Sequence, residues 1–137
     1  MPHYCGVILT SVSTYVPGNT NYEIVTALTA QQSVTDAITA RAGGGQTNAT
    51  ALTATFNNVT VVATAADSVK LPLAVAGLWV TIRNGAANAA TVYGDGTDTI
   101  NGVATATGVS LTAATSALYF CTTSAPAGKW FVVKGAA

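Results

Sequence analysis

From Asn48 to its C-terminus, the chain consists of short runs of β-branched and apolar residues, each followed by turn residues such as Gly, Asn, Asp or Pro. These runs, among them TFNNVTVVAT, GLWVTIRNG and SALYFCTT, recur at spacings of roughly 8 to 12 residues, which is typical of a β-sandwich or barrel. The second of them alternates between two predicted faces, with Leu78, Val80 and Ile82 on one and Trp79, Thr81 and Arg83 on the other. Such alternation favours antiparallel strands over a doubly wound parallel sheet, whose buried strands are uniformly apolar.

A glycine-rich run at residues 42–46, AGGGQ, divides the chain into two predicted parts. The first part, residues 1–46, contains an arm and a short helix, and the second, residues 47–137, forms a β-rich knob. Residues 1–28 show neither a helical period nor strand alternation, so we expect them to form an extended arm.

Residues 29–42, TAQQSVTDAITARA, are predicted to form one short helix. Thr29 suits the N-cap position, and Gln32 suits the third position of a capping box. Three residues fall on one helical face by i, i+3, i+4 spacing: Val34, Ala37 and Ile38. The complete prediction is a mainly β protein, an antiparallel β-sandwich or jelly-roll-like knob with an extended N-terminal arm and one short helix.

Charged residues make up only 7% of the chain, against about 25% in a typical soluble domain, and five basic residues balance five acidic ones. This composition offers no basic surface to neutralise phosphates, so we expect no nucleic-acid partner. No apolar run reaches the roughly 18 residues of a membrane span, so we expect no membrane partner. A domain with so little charge has weak protection against association, and we therefore expect a homo-oligomer.

The segment YGDGTDTIN, residues 93–101, matches all but the first position of the nonapeptide GGxGxDxUx, which binds calcium in stacked β-rolls. A single copy supplies too few oxygen ligands for a cation that takes about six to eight. We therefore predict a tight turn, with no metal and no cofactor. In this turn Gly94 and Gly96 would adopt positive φ, and Asp95 and Asp98 would bond to nearby backbone N–H groups.

The remaining reactive residue types form no recognisable catalytic group, and we predict that the protein is not an enzyme. His3 lies near the N-terminus without a partner that would fix its geometry. Cys5 and Cys121 are expected to be reduced, and Cys121 is expected to pack beside Tyr119 on one face of a strand.

Most of the chain is similar to a module common in structural proteins of tailed bacteriophages. The similarity runs from AGGGQTNATALTATFNNVTVVATAADSVKLP through AGLWVTIRNGAANAATVYGDGTDTINGVATATGVSLTAATSALYFCTT to GKW, and covers roughly residues 42 to 131. It is a pattern of strands and turns without catalytic residues. Members of this family resemble small β-rich capsid decoration proteins, head fibres or pieces of tail proteins, and such proteins are often trimers.

The resemblance implies a virion protein, made in the host cytoplasm and placed on the outer capsid surface. Its implied partners are the major capsid protein and further copies of itself, as a homotrimer. Because the chain is short and has a predicted arm, we expect a capsid decoration, or cement, protein that stabilises the shell by bridging capsid subunits. The residues expected to contact the capsid lie in the arm: Tyr4, Val7, Ile8, Leu9, Tyr15 and Tyr22.

An alternative function is that of a tail or fibre-associated domain that binds a receptor or a carbohydrate. A carbohydrate-binding module would present Trp79 and Trp130 at its surface as stacking platforms. Trp residues placed in strands are also suited to the core or to subunit contacts, so their exposure distinguishes the two readings.

Overall fold

A computed structural model of the chain describes residues 33–43 and 45–135. All of these residues except Ser33 belong to one compact unit, Val34–Ala137, which begins before the boundary predicted between residues 46 and 47. The described elements, in chain order, are β1 (Val34–Thr39), α1 (Gly45–Asn48), β2 (Thr50–Ala51), β3 (Phe56–Val61), β4 (Ser68–Lys70), β5 (Trp79–Asn84), β6 (Ala90–Tyr93), β7 (Thr99–Ile100), β8 (Val109–Leu111), β9 (Ser116–Thr123) and β10 (Lys129–Lys134). No helix within the described residues is long and apolar enough to cross a membrane.

The strands form two mixed sheets, one of six strands in the order β1-β3-β5-β9-β10-β7 and one of four in the order β2-β4-β6-β8. From β1 to β6 the chain alternates between the two sheets. We call one strand of each sheet, with its connections, a coil, so that each coil adds one strand to each sheet. Successive coils are parallel: Ser68 lies opposite Thr91 and Val69 opposite Val92, a spacing of 23 residues. This winding is that of stacked β-helical coils. Later strands reverse direction: β8 pairs antiparallel with β6, and β9 pairs antiparallel with β5.

The predicted mainly β class is confirmed, whereas the prediction of antiparallel strands throughout is wrong. Parallel pairs join β1 to β3, β3 to β5, β2 to β4, β4 to β6 and β10 to β7. Alternation of side chains reports which face of a strand is buried, and it carries no information on the direction of the neighbouring strand. A parallel pair needs a crossover, and here the crossover is a strand of the other sheet instead of a helix.

The predicted helix at residues 29–42 is wrong over residues 34–39, which form β1 beside β3. Of the three residues predicted to share a helical face, Ile38 is buried, but Val34 and Ala37 are exposed. The strand contains an irregularity between Thr35 and Ile38, where Ala37 adopts a φ of 56° and its N–H donates to the Asp36 carboxylate at 2.8 Å. Pairing with β3 therefore outweighs the weak local preference for a helix.

Every strand predicted after residue 48 is confirmed, from TFNNVTVVAT to KWFVVKG. The predicted faces of β5 are also confirmed, since Val80 and Ile82 are buried while Trp79 and Arg83 are exposed. One hydrophobic core takes residues from both sheets, and its largest fully buried side chains are those of Trp130 and Tyr119.

Candidate interaction surface

The outer face of the four-stranded sheet is polar. Thr91 and Ser110 are cross-strand neighbours there, and Lys70 lies opposite Tyr93. The Lys70 ammonium is 3.1 Å from the Asp95 carboxylate. A sheet with one face on the core and the other in solvent is expected to present such residues outward.

The outer face of the six-stranded sheet is, in contrast, apolar across five strands. In one row Trp79 lies opposite Phe120, and Phe120 opposite Phe131. In the next row Val34, Phe56, Thr81, Leu118 and Val133 are successive cross-strand neighbours. We call the seven apolar members the apolar band: Val34, Phe56, Trp79, Leu118, Phe120, Phe131 and Val133. Their chain neighbours on β5, β9 and β10 point into the core, so the band faces away from it.

The rings of the apolar band are accessible although they pack on one another. Phe56 and Trp79 meet edge to face, with ring centroids 5.7 Å apart. The exposed fractions are 39% for Trp79, 42% for Phe120 and 48% for Phe131. Single exposed apolar residues are ordinary on protein surfaces, but a contiguous group of this kind is typical of an interaction site.

Polar side chains border the apolar band on both sides. Lys129 is exposed, and it precedes Phe131 by two residues on β10, so it continues the outer face beyond the aromatic row. On the opposite border, Asn58 Nδ2 donates to the Asp36 carboxylate at 2.7 Å, and the Arg83 guanidinium donates to Asn58 Oδ1 at 3.4 Å. The first of these bonds, together with the Ala37 N–H, lowers the pKa of the Asp36 carboxyl. The border is therefore an ordered row of planar polar groups.

The sheet edges give little opportunity for a partner strand to pair. The edge strand β1 is interrupted by its irregularity at Asp36 and Ala37, and such bulges blunt an edge. The other edge strands are β2, β7 and β8, which contain only two or three residues each. Among the described surfaces, the face that carries the apolar band is therefore better suited to association than any edge.

The segment at residues 93–101 forms the predicted turn, in which the Asp98 N–H donates to the Asp95 carbonyl at 2.8 Å. Gly96 has the predicted positive φ, but Gly94 does not. Gly94 instead permits a close approach, since a Cβ there would lie 2.6 Å from the Asp98 carbonyl oxygen. Within the described residues, no three His, Cys, Asp or Glu side chains are grouped as a metal would require.

Asp98 is buried, and its carboxylate bonds to distant rather than nearby backbone, which corrects the prediction. The Ala74 N–H donates to Oδ2 at 3.1 Å, and the Gly128 N–H donates to Oδ1 at 2.7 Å. These donors belong to the β4–β5 and β9–β10 connections. The carboxylate therefore joins three loops at one end of the unit.

The other candidate residues are not brought together as a reactive site. Trp130 is fully buried, so the two Trp side chains do not form the surface pair expected of a carbohydrate-binding module. Cys121 is a free, buried thiol on the same face of β9 as Tyr119, as predicted, and burial raises its pKa. His3, Cys5 and the six predicted capsid contacts, Tyr4, Val7, Ile8, Leu9, Tyr15 and Tyr22, lie outside the described residues.

Comparison with known proteins identifies no relative, so the role of this surface is inferred from its own residues. No family model, curated protein or solved structure matches the chain.

Sequence reasoning missed the apolar band, although a signal for it is present. β9 (SALYFCTT) and β10 (KWFVVK) are apolar at consecutive positions and not at alternate ones. Consecutive apolar residues in a strand indicate that both faces are covered. In the described unit the core covers only one of those faces.

Proposed function

We propose that this protein is a non-enzymatic virion component, a decoration or cement protein that binds the outer surface of a phage capsid and stabilises the shell by bridging capsid subunits. The observation that carries this proposal is the apolar band, a contiguous aromatic face on a small β-rich unit with blunted edges. In this proposal the two mixed sheets form the sandwich-like knob of the decoration protein, and the apolar band is its docking surface.

The energetics of a shell favour a contact of this type. Each decoration subunit needs only a modest affinity, because contacts from several linked copies raise the apparent affinity by a factor of about 10²–10⁴. Burial of aromatic side chains supplies the affinity without any chemical reaction. The low charge content of the chain, 7%, accords with a protein whose surface is covered in an assembly.

The proposal includes two further elements, of which the first rests on the resemblance and the second on the predicted N-terminal arm. The protein acts as a homotrimer, and six N-terminal residues supply additional capsid contacts: Tyr4, Val7, Ile8, Leu9, Tyr15 and Tyr22. Sedimentation equilibrium at micromolar concentration measures the first, for which we expect three chains. Deletion of residues 1–28 tests the second, since we expect a folded, β-rich protein with weaker binding to particles.

The principal experiment adds the purified full-length chain to purified particles of the phage that encodes it. We expect the chain to sediment with the particles, to be imaged by cryo-electron microscopy on the outer shell, and to raise the temperature at which DNA is released. Density on the tail with none on the head would favour the alternative, a tail or fibre-associated domain that binds a receptor. A chain that binds neither head nor tail would contradict both proposals.

A further inference from the structure

We infer that the apolar band docks onto a different protein chain whose surface combines apolar side chains with carboxylates that face Arg83 and Lys129. This inference rests on the proposed function and names the chemistry of the capsid surface that the band covers. It follows from the arrangement, the charges and the area of the outer face of the six-stranded sheet.

The face has the internal arrangement of a protein interface. Its centre is the aromatic row of Trp79, Phe120 and Phe131, and its borders are polar, with Lys129 on one side and Arg83 on the other. Interfaces between proteins place apolar and aromatic side chains at the centre and polar groups at the rim, and their energetic hot spots are enriched in Trp, Tyr and Arg. A lipid surface would instead favour an apolar face backed by several basic residues.

The charges of the described residues favour an acidic partner. Asp67 and Asp98 are buried, and Asp95 is paired with Lys70 beside the other sheet. Among the described residues, the basic groups at the borders of the apolar band are Arg83 and Lys129, and the one carboxylate there is that of Asp36. Two basic groups against one carboxylate leave the face with a net positive charge, which carboxylates on a partner would complement.

The area of the apolar band argues against a second copy of this chain as its occupant. From the exposed fractions of its residues, the band offers roughly 500 Å² of apolar surface, or roughly 1,000 Å² when a partner's side is added. Obligate homodimers commonly bury about 2,000 Å² or more of total surface. A second copy would also place the same net positive charge opposite itself. A contact of this size suits a partner that repeats many times on a shell.

Particle binding by the full-length chain tests the role of the band. Phe120→Ser and Phe131→Ser each remove an exposed central ring, and Leu73→Ser is the matched control because Leu73 is 58% exposed on the β4–β5 connection, outside the band. We expect each ring variant to weaken binding by more than about tenfold and the control to change it by less than about twofold. Thermal melting identifies any variant that fails to fold, and two ring variants keep the comparison valid if one does.

Charge reversal tests the acidic character of the partner. Arg83→Glu and Lys129→Glu should each slow association with particles, and the loss should shrink as salt concentration rises. Arg41→Glu is the matched control, since Arg41 is exposed and is not part of the six-stranded sheet. An equal loss in all three variants would reflect a general change in net charge and would overturn the acidic assignment.

The outcomes separate this inference from the proposed function. If the wild-type chain binds particles and the ring variants bind equally well, the inference is overturned and the proposed function stands. If the wild-type chain sediments as an oligomer that Phe120→Ser dissociates, the band is a self-association surface and the inference is wrong. If the wild-type chain does not bind particles, both are overturned.

Discussion

Phe56 and Trp79, on the adjacent parallel strands β3 and β5, meet edge to face with their ring planes at 89°. Edge-to-face aromatic pairs contribute about 0.5–1.5 kcal/mol beyond the area that they bury. We therefore predict a coupling energy of that size in a double-mutant cycle with Phe56→Leu and Trp79→Leu, measured by denaturant unfolding. Additive effects of the two substitutions would mean that the rings contribute to stability separately.

Removal of the Asp98 carboxylate should destabilise the unit strongly. Asp98→Ala leaves the buried N–H groups of Ala74 and Gly128 without an acceptor, which costs about 3 kcal/mol. Asp95→Ala is the control, and its loss of the partly exposed ion pair with Lys70 should cost less than about 1 kcal/mol. Denaturant unfolding measures both values, and equal costs would contradict the assigned role of Asp98.

Calcium should not stabilise the fold. The Asp98 carboxylate already bonds to two backbone N–H groups, and Asp95 is paired with Lys70, so the turn offers a cation few free ligands. A native-state metal at one hundred times its Kd would add about 2.7 kcal/mol, which corresponds to roughly 10 °C in melting temperature. We predict a difference below about 2 °C between melts in excess chelator and in millimolar calcium. A shift in melting temperature of roughly 10 °C that Asp98→Asn abolishes would instead identify a metal site.

The hydrogen bond from Asn58 should control the titration of Asp36. This bond, with a smaller contribution from the Ala37 N–H, lowers the pKa of the Asp36 carboxyl. Because the folded pKa is the lower one, the associated stability is present above the unfolded-state pKa and is lost as the pH falls through the folded pKa. We predict that Asn58→Ala raises the pKa of Asp36 towards its ordinary value, as measured by carboxyl carbon NMR. Thr60→Ala, an exposed change on the same strand, should leave it unchanged.

Alkaline unfolding should depend on Tyr119. Its buried hydroxyl has no hydrogen-bond partner among the residues that the structure describes, and burial raises the pKa of the phenol far above its ordinary value. Since the folded pKa is the higher one, stability is intact below the unfolded-state pKa of about 10 and falls as the pH rises beyond it. We predict that Tyr119→Phe changes the free energy of unfolding at neutral pH by less than about 1 kcal/mol and makes stability less sensitive to pH above 10. A large loss at neutral pH would show that the hydroxyl is needed.

The strands from β3 to β10 could be predicted from the sequence because their signals are local. Alternation in β5 located its buried face at Val80 and Ile82, and glycine and asparagine marked the turns between strands. The predicted helix was wrong over residues 34–39 because its local signal was weak and pairing with β3 decides the conformation. The irregularity at Ala37 then leaves Val34 exposed while Ile38 is buried, a result that the spacing of these residues does not predict.

Features that depend on distant residues could not be predicted in the same way. The donors to Asp98 are 24 and 30 residues away in the chain, at Ala74 and Gly128, and no local pattern connects them. The apolar band likewise requires the strand order, which places Trp79 beside Phe120 and Phe120 beside Phe131. Consecutive apolar residues in β9 and β10 indicate an additional covered face, but the composition of that face appears only when the strands are paired.

The alternation of the chain between the two sheets has a consequence for how such a protein can change in length. A tandem duplication of one coil, 23 residues at the spacing of Ser68 and Thr91, would add one parallel strand to each sheet and preserve the register of the others. An insertion of only part of a coil would move the following strands to the opposite sheet and turn their buried side chains outward. Evolution of this architecture is therefore expected to proceed by gain or loss of whole coils, which would lengthen or shorten the outer face without altering its chemistry.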